Sequence, residues 1–146
     1  MIIDDSFDVD APVDKVWPIL KDVPRVATCI PNAQITETVD DKTYRAKVSV
    51  KVGPVSVGYN ATITILSLDD TTFTATLDVK GDDTKGRGGV KASVVSRAEA
   101  RGDKTHVDLH TDAQISGVIA TVGGRMIESV ARKTVAEFAK NLAALV

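Results

Sequence analysis

Apolar and polar residues alternate with a period of two over most of this chain, and give way to helical spacing in one stretch near each end. Residues 1–9 read as a strand, with Ile3 and Phe7 on one side and Asp4, Ser6 and Asp8 on the other. A helical segment is expected from Asp10. Pro12 suits a first helical position, and Val13, Val16, Trp17 and Leu20 share a face. Pro18 inside it points to a short or bent helix. A second short helix is expected near Asp22, with Pro24 in its first turn and an end before Pro31.

From 34 to 115 the period of two predicts six strands. Ala46, Val48, Val50 and Val52 alternate with Arg45, Lys47, Ser49 and Lys51, and Gly53-Pro54 turns the chain. Val55, Val57, Tyr59, Ala61, Ile63 and Ile65 follow on one face, and Leu68-Asp69-Asp70 is expected as a turn. Phe73, Ala75, Leu77 and Val79 carry the next apolar side, and 81–89 reads as a polar, glycine-rich loop. Val90, Ala92, Val94, Ser96, Ala98 and Ala100 face inward on the next strand. Val107, Leu109, Thr111, Ala113 and Ile115 do so on the last. One apolar and one polar face per strand is the signature of an antiparallel sheet covered on one side. The stretch 117–146 returns to helical spacing, with Ile119, Val122, Met126, Ile127, Val130, Phe138, Leu142 and Leu145 on one broad face. Fully helical, it would be about 30 residues and roughly 45 Å long, enough to cross a curved sheet. The class is therefore α+β in a single domain, 1–146: strand, two short helices, six strands, one long helix.

Composition adds a hint about the interior. Val, Ile and Thr together make 46 of the 146 residues, whereas there are only six aromatic residues, and alanine numbers sixteen. β-Branched residues suit strands. A core of Val and Ala with few rings either brings its layers close together or encloses a hole. The net charge of −2 provides no basic field for nucleic acid. No apolar run approaches the roughly 18 residues that span a bilayer, and no secretory signal is expected at the N-terminus. The lone Cys29 excludes an internal disulfide framework and a cysteine-based zinc site, so a cytoplasmic setting is the expectation.

Three groups of residues, read together, resemble one family. They are Val16-Trp17, Asp22 and Cys29-Ile30-Pro31; then Val50-Lys51-Val52-Gly53-Pro54-Val55; then Gly117, Gly124-Arg125, Ile127, Val130-Ala131 and Phe138. They resemble the carbon monoxide dehydrogenase G-subunit (CoxG) family of the START-like, helix-grip (SRPBCC) superfamily, over essentially the whole chain. Asn32 departs from the pattern, standing where the family usually has glycine. The resemblance implies a seven-stranded antiparallel sheet wrapped around the C-terminal helix, with an apolar cavity between them. It also implies an accessory role beside a molybdenum-containing CO dehydrogenase or related redox enzyme, with parts in quinone handling and membrane recruitment at the inner face of the membrane. Some members carry a long C-terminal extension with an apolar, membrane-contacting end; membrane contact of that kind is not expected of residues 1–146, which run only to the end of the helix.

The candidate chemistry is sparse. Catalysis needs a titratable pair converging in a pocket, and the inward positions hold only Ser96, Thr111 and the Tyr59 hydroxyl among apolar side chains. An isolated strand hydroxyl usually bonds a nearby backbone group, and that is the expectation for Ser96 and Thr111. His106, Asp108 and His110 alternate along one strand, a spacing compatible with metal ligation; they stand on the polar face, and a solvated surface is the expectation. Cys29 reads as a small buried hydrophobe rather than a reactive thiol, although Arg25 lies one turn back. The 81–89 loop lacks the strand–loop–helix context and the ending of a phosphate-binding loop. Gly123-Gly124 is compatible with a close approach, a kink, or a helix that starts near Arg125. The small inward residues Ala46, Ala61, Ala75, Ala92, Ala98 and Ala113 favour a hollow over a solid core.

A hollow of that kind suits a flat, mostly hydrophobic ligand; that this is a quinone or lipid is what the resemblance implies, and no metal and no other cofactor is expected. Its lining on the sheet is expected from Val48, Val50, Tyr59, Ala61, Ile63 and Leu77, and beyond them Val94, Ser96, Thr111, Ala113 and Ile115. The helix is expected to add Val122, Met126, Ile127, Val130 and Phe138. A non-enzymatic binding protein is the preferred reading; the alternative is a cyclase- or dehydratase-type enzyme on the same fold.

Overall fold

The computed structural model describes residues 1–146. Strand β1 (Ile2–Val9) leads into two short helices, α1 (Val13–Leu20) and α2 (Val23–Thr28). Pro12 precedes α1 in an extended conformation, and Asp22 caps α2 by accepting from the Arg25 amide. Pro18 is carried within α1, solvent-facing, while Val16, Trp17, Ile19 and Leu20 are buried. Six strands follow: β2 (Ala33–Thr38), β3 (Thr43–Val52), β4 (Val55–Asp69), β5 (Thr74–Asp83), β6 (Gly89–Arg101) and β7 (Lys104–Ile115). All seven form one antiparallel sheet in the order β1-β7-β6-β5-β4-β3-β2. Helices α1 and α2 thus carry the chain from one edge to the other. Bulges in β2 and β4, where register shifts between Ile35/Glu37 and Ile65/Ser67, add local bend and twist.

Several boundaries differ from the sequence expectation. Strand β4 continues through Leu68 to Asp69, and Phe73 sits in the following turn at φ +53° rather than in β5. The 81–89 segment is strand at both ends. Asp82 and Asp83 pair with Asn60 and Tyr59 of β4, Gly81 and Asp82 pair with Val90 and Gly89 of β6, and only 84–88 is loop. The C-terminal stretch is not one helix. A 3₁₀ turn (Ile119–Val122) ends at Gly123, whose φ of +92° no helix accommodates, and α3 (Gly124–Ala143) begins there. Its 20 residues span about 30 Å. Asn32 adopts φ +61°. Asparagine tolerates that left-handed conformation better than most residues; the Asn32 carbonyl accepts from the Ser49 amide at 3.0 Å.

Buried apolar residues fall into two clusters. Twelve gather at the α1 end, among them Val9, Val16, Trp17, Cys29, Ala98, Val107, Phe138 and Leu142. Phe7 meets Phe138 edge-on at 5.7 Å between centroids, and Trp17 meets Phe73 at 6.0 Å. The Trp17 indole donates to Asp70 at 2.7 Å, which pins α1 to the β4–β5 turn. Four residues, Val52, Val57, Tyr59 and Ile119, form the second cluster at the other end, where the 3₁₀ turn meets the β3–β4 hairpin.

Candidate functional site

Between those clusters the inner face of the sheet is apolar but not sealed. Val48, Ile63, Leu77, Val94 and Thr111 face α3 on successive strands, and each is only half-buried. Apolar side chains in the middle of a covered sheet should be fully buried; here solvent reaches them. Helix α3 explains the gap. It runs close to β1 and touches β3, and comes less near the strands between them. Both of its buried residues, Phe138 and Leu142, lie in its C-terminal half. The Asn141 amide donates to the Cys29 carbonyl at 3.0 Å and fixes that end to α2. Arg132 ties the middle of the helix to β1 through the Asp4 carbonyl at 3.1 Å.

The expected lining residues divide into three groups. Tyr59, Ala61, Ala113 and Phe138 are buried; Val50, Ile115, Val122, Ile127 and Val130 are half-buried and pack on the smaller cluster. Val48, Ile63, Leu77, Val94, Ser96 and Thr111 belong to neither cluster and lie on the unsealed stretch. Met126 does not line it. It is 41% exposed, in the first turn of α3, with its thioether over Gly53 of the β3–β4 turn. Leu145 is likewise outside, past the end of α3 and 42% exposed.

Ser96 departs from its expected state. Its hydroxyl is buried and has no hydrogen-bond partner, the one such side-chain atom in the protein. An unsatisfied buried hydroxyl costs about 1–3 kcal/mol. It lies between Ala75 and Leu109 in the register, next to Val94.

The charged groups turned to this side of the sheet are both engaged. The Asp5 carboxylate stands 3.8 Å from Arg132. Asp83, expected in a polar loop, is instead buried with its side chain 1% exposed. It accepts from the Lys85 amide at 3.1 Å, the Arg87 amide at 3.2 Å and Arg87 Nε at 2.7 Å. The Lys85 bond foremost, then Arg87, hold its carboxyl below the usual carboxylate range against the effect of desolvation. Asp83 was missed because its only sequence signal is an arginine four residues later, in a segment with no periodicity. Burial, and then the charge of Asp83, push the Tyr59 phenol up.

The remaining candidates are structural. Cys29 is 1% exposed, and burial raises its thiol pKa. On the outer face His106 Nδ1 donates to the Asp8 carboxylate at 2.7 Å and Nε2 lies 3.1 Å from Asp108, and His110 meets Asp4. The group stays on the polar, solvated face, with His106 and His110 paired across to β1. No three His, Cys, Asp or Glu side chains converge as metal ligands. Open depressions of about 570 and 560 Å³ also lie on that outer face, lined by Lys80, Asp82, Lys91 and Gln114, and are too polar for an apolar guest. No helix is long and apolar enough to cross a membrane.

A seven-stranded antiparallel sheet curled around a C-terminal helix, with two short helices after the first strand, defines the START-like helix-grip class. Solved structures bear this out. A conserved protein from Geobacillus kaustophilus superposes with TM-score 0.88 at 23% identity, covering 99% of this chain and 93% of its own. A START superfamily protein from Mycobacterium smegmatis gives 0.68 at 17%, covering 98% and 94%. The Zhui aromatase/cyclase from Streptomyces sp. R1128 gives 0.67 at 17%, covering 99% and 92%. Among curated proteins none matches significantly. The family model of the carbon monoxide dehydrogenase G-subunit (CoxG) matches residues 6–146, and the chain belongs to that family.

Proposed function

We propose that this protein carries a hydrophobic small molecule, a quinone or lipid, between its sheet and α3, as a non-enzymatic accessory to a molybdenum-containing CO dehydrogenase or related redox enzyme. The observation that carries the reading is the row of half-buried apolar side chains, Val48, Ile63, Leu77 and Val94, midway between two sealed clusters. A guest there would bury their exposed area, worth roughly 25 cal/mol per Å². The unpartnered Ser96 hydroxyl at its margin would supply one neutral hydrogen bond to a carbonyl or hydroxyl of the guest. Family membership supports the redox partner and quinone handling, and a place at the inner face of the membrane. Likeness to a cyclase supports the fold alone, since one fold hosts many chemistries.

Native mass spectrometry of the purified chain tests this directly, with a co-purifying lipophilic mass as the expected result. Val130→Trp sharpens it. Val130 is half-buried on the sheet-facing side of α3, and an indole there should fill vacant space. Urea unfolding should stay near wild type while binding of decylubiquinone is lost. A strongly destabilised variant would show a full interior. Turnover of an ester or polyketide-like substrate that vanishes in Tyr59→Phe would instead establish an enzyme.

A further inference from the structure

The end of the unsealed stretch farthest from α1 is closed by a segment with the construction of a lid. The 3₁₀ turn plugs that end with one buried side chain, Ile119, set against Tyr59, Val52 and Val57. It is bounded by Gly117 at φ +86° and Gly123 at φ +92°, conformations in which rotation is least hindered for glycine. Beyond Gly123 the first half of α3 contributes no buried residue, and the helix start has no side-chain cap. Anchorage is concentrated at Phe138 and Leu142, at the opposite end.

What holds the segment shut is the short β5–β6 loop, 84–88. The Arg87 carbonyl accepts from the Val118 amide at 3.0 Å. Gly88 and Gly117 touch backbone to backbone; a Cβ on Gly117 would fall on the Arg87 carbonyl, and one on Gly88 on the Ser116 carbonyl. The loop is itself shaped by the buried Asp83 carboxylate, whose three hydrogen bonds to Lys85 and Arg87 orient that carbonyl. The Thr84 amide ties the loop to β4 through the Gly58 carbonyl at 2.9 Å.

We propose that residues 117–123 are the lid through which the guest enters and leaves, hinged at Gly117 and Gly123, and that Asp83, acting through the Arg87 carbonyl, is its latch. The assignment of a guest rests on the preceding reading; the movement of the lid does not. Asp83 is a positioning residue and touches no ligand.

Two variants attack the latch from opposite sides, Asp83→Asn from the loop and Gly117→Ala from the lid. The neutral fluorescent probe 1-aminoanthracene reports uptake and release by stopped flow on the whole chain. Hydrogen exchange at the Val118 amide reports opening without any probe. In both variants Val118 exchange should quicken by roughly tenfold, the order expected when a charge-assisted contact is lost, with Val107 exchange as the reference for global unfolding. Uptake and release rates should rise together, leaving affinity within about twofold, because a latch changes the barrier and not the bound state. Val118 exchange that stays locked to that of Val107 would overturn the proposal, as would faster opening with unchanged probe kinetics. If the wild-type chain takes up no probe, the carrier reading fails, and hydrogen exchange alone decides whether 117–123 opens as a unit.

Discussion

The two ends of this sheet use the same strands and the same alternation, yet one is packed and the other is propped. At the α1 end twelve buried residues from β1, α1, α2, β5, β6, β7 and α3 interlock, and Val16, Val107 and Leu142 have no exposed area. At the other end four buried residues suffice, and the half-buried Ile127 and Val130 of α3 rest on them. Aromatic residues account for much of the difference. Phe7, Trp17, Phe73 and Phe138 all gather at the α1 end, where bulk fills the space between helix and sheet. Farther along, valine and alanine are too short to bridge the same gap. A domain can thus concentrate its stability at one end and leave the other loosely packed.

The strongest way to break that comparison is to hollow out the packed end. Leu142→Ala should cost about 2–5 kcal/mol in urea unfolding, as for any fully buried leucine whose site cannot collapse. A loss well below that would mean the two ends are packed alike.

Small-to-large changes sharpen the contrast. Ala98, 2% exposed in the larger cluster, and Ala92, half-buried between clusters, both face α3 from β6. Ala98→Leu should destabilise by about 1–3 kcal/mol through overpacking, while Ala92→Leu should be close to neutral. Equal destabilisation would remove the case for vacant space near Ala92.

A smaller effect is expected at the clamp between α1 and the β4–β5 turn. Trp17→Phe keeps the contact with Phe73 but loses the donor to Asp70, and thermal or urea unfolding should show a cost of about 1 kcal/mol. A cost approaching that of Leu142→Ala would show that the ring, not its donor, holds α1.

The smallest effect lies on the outer face. The bond to Asp8 foremost raises the His106 pKa, while that to His106 lowers the Asp8 pKa. A histidine with a raised folded pKa stabilises the fold fully below its unfolded value, and that contribution fades as pH rises through the folded value. Asp8 is largely exposed and solvent screens the pair from that side, so the stability change should be slight. An NMR titration should place the His106 midpoint above the ordinary imidazole value, and Asp8→Asn should bring it down. A midpoint unmoved by Asp8→Asn would assign the shift to Asp108.

The alternation that predicted the strands is legible because each side chain reports its own face, independent of distant partners. For the same reason Val48, Ile63, Leu77 and Val94 were recognisable as inward-facing from sequence. Strand ends are another matter. Asp82 and Asp83 look like loop residues, yet they stay in the ladder because β4 supplies Asn60 and Tyr59 opposite them. Met126 belongs to the same uninterrupted α3 as Ile127, Val130 and Phe138, and its exposure is decided by where the start of that helix lies against the Gly53 turn. Ser96 shows the limit most plainly: its inward direction is local, but whether its hydroxyl finds a partner depends on what Ala75, Leu109 and α3 leave beside it.

By itself, then, the chain's pattern of residues determined the order of elements, the inward face of every strand but β2, the amphipathic C-terminal helix and the family to which they point, because all of these follow from local periodicity and short motifs. Tertiary structure alone decided whether the inner face is filled. That depends on the distance between α3 and the sheet, which is set remotely: by Phe138 against Phe7, by Leu142 in the larger cluster, and by Asn141 on the Cys29 carbonyl. A helix held at one end stands off from the sheet by the size of the side chains that hold it, and no local pattern in the residues it spans records that separation.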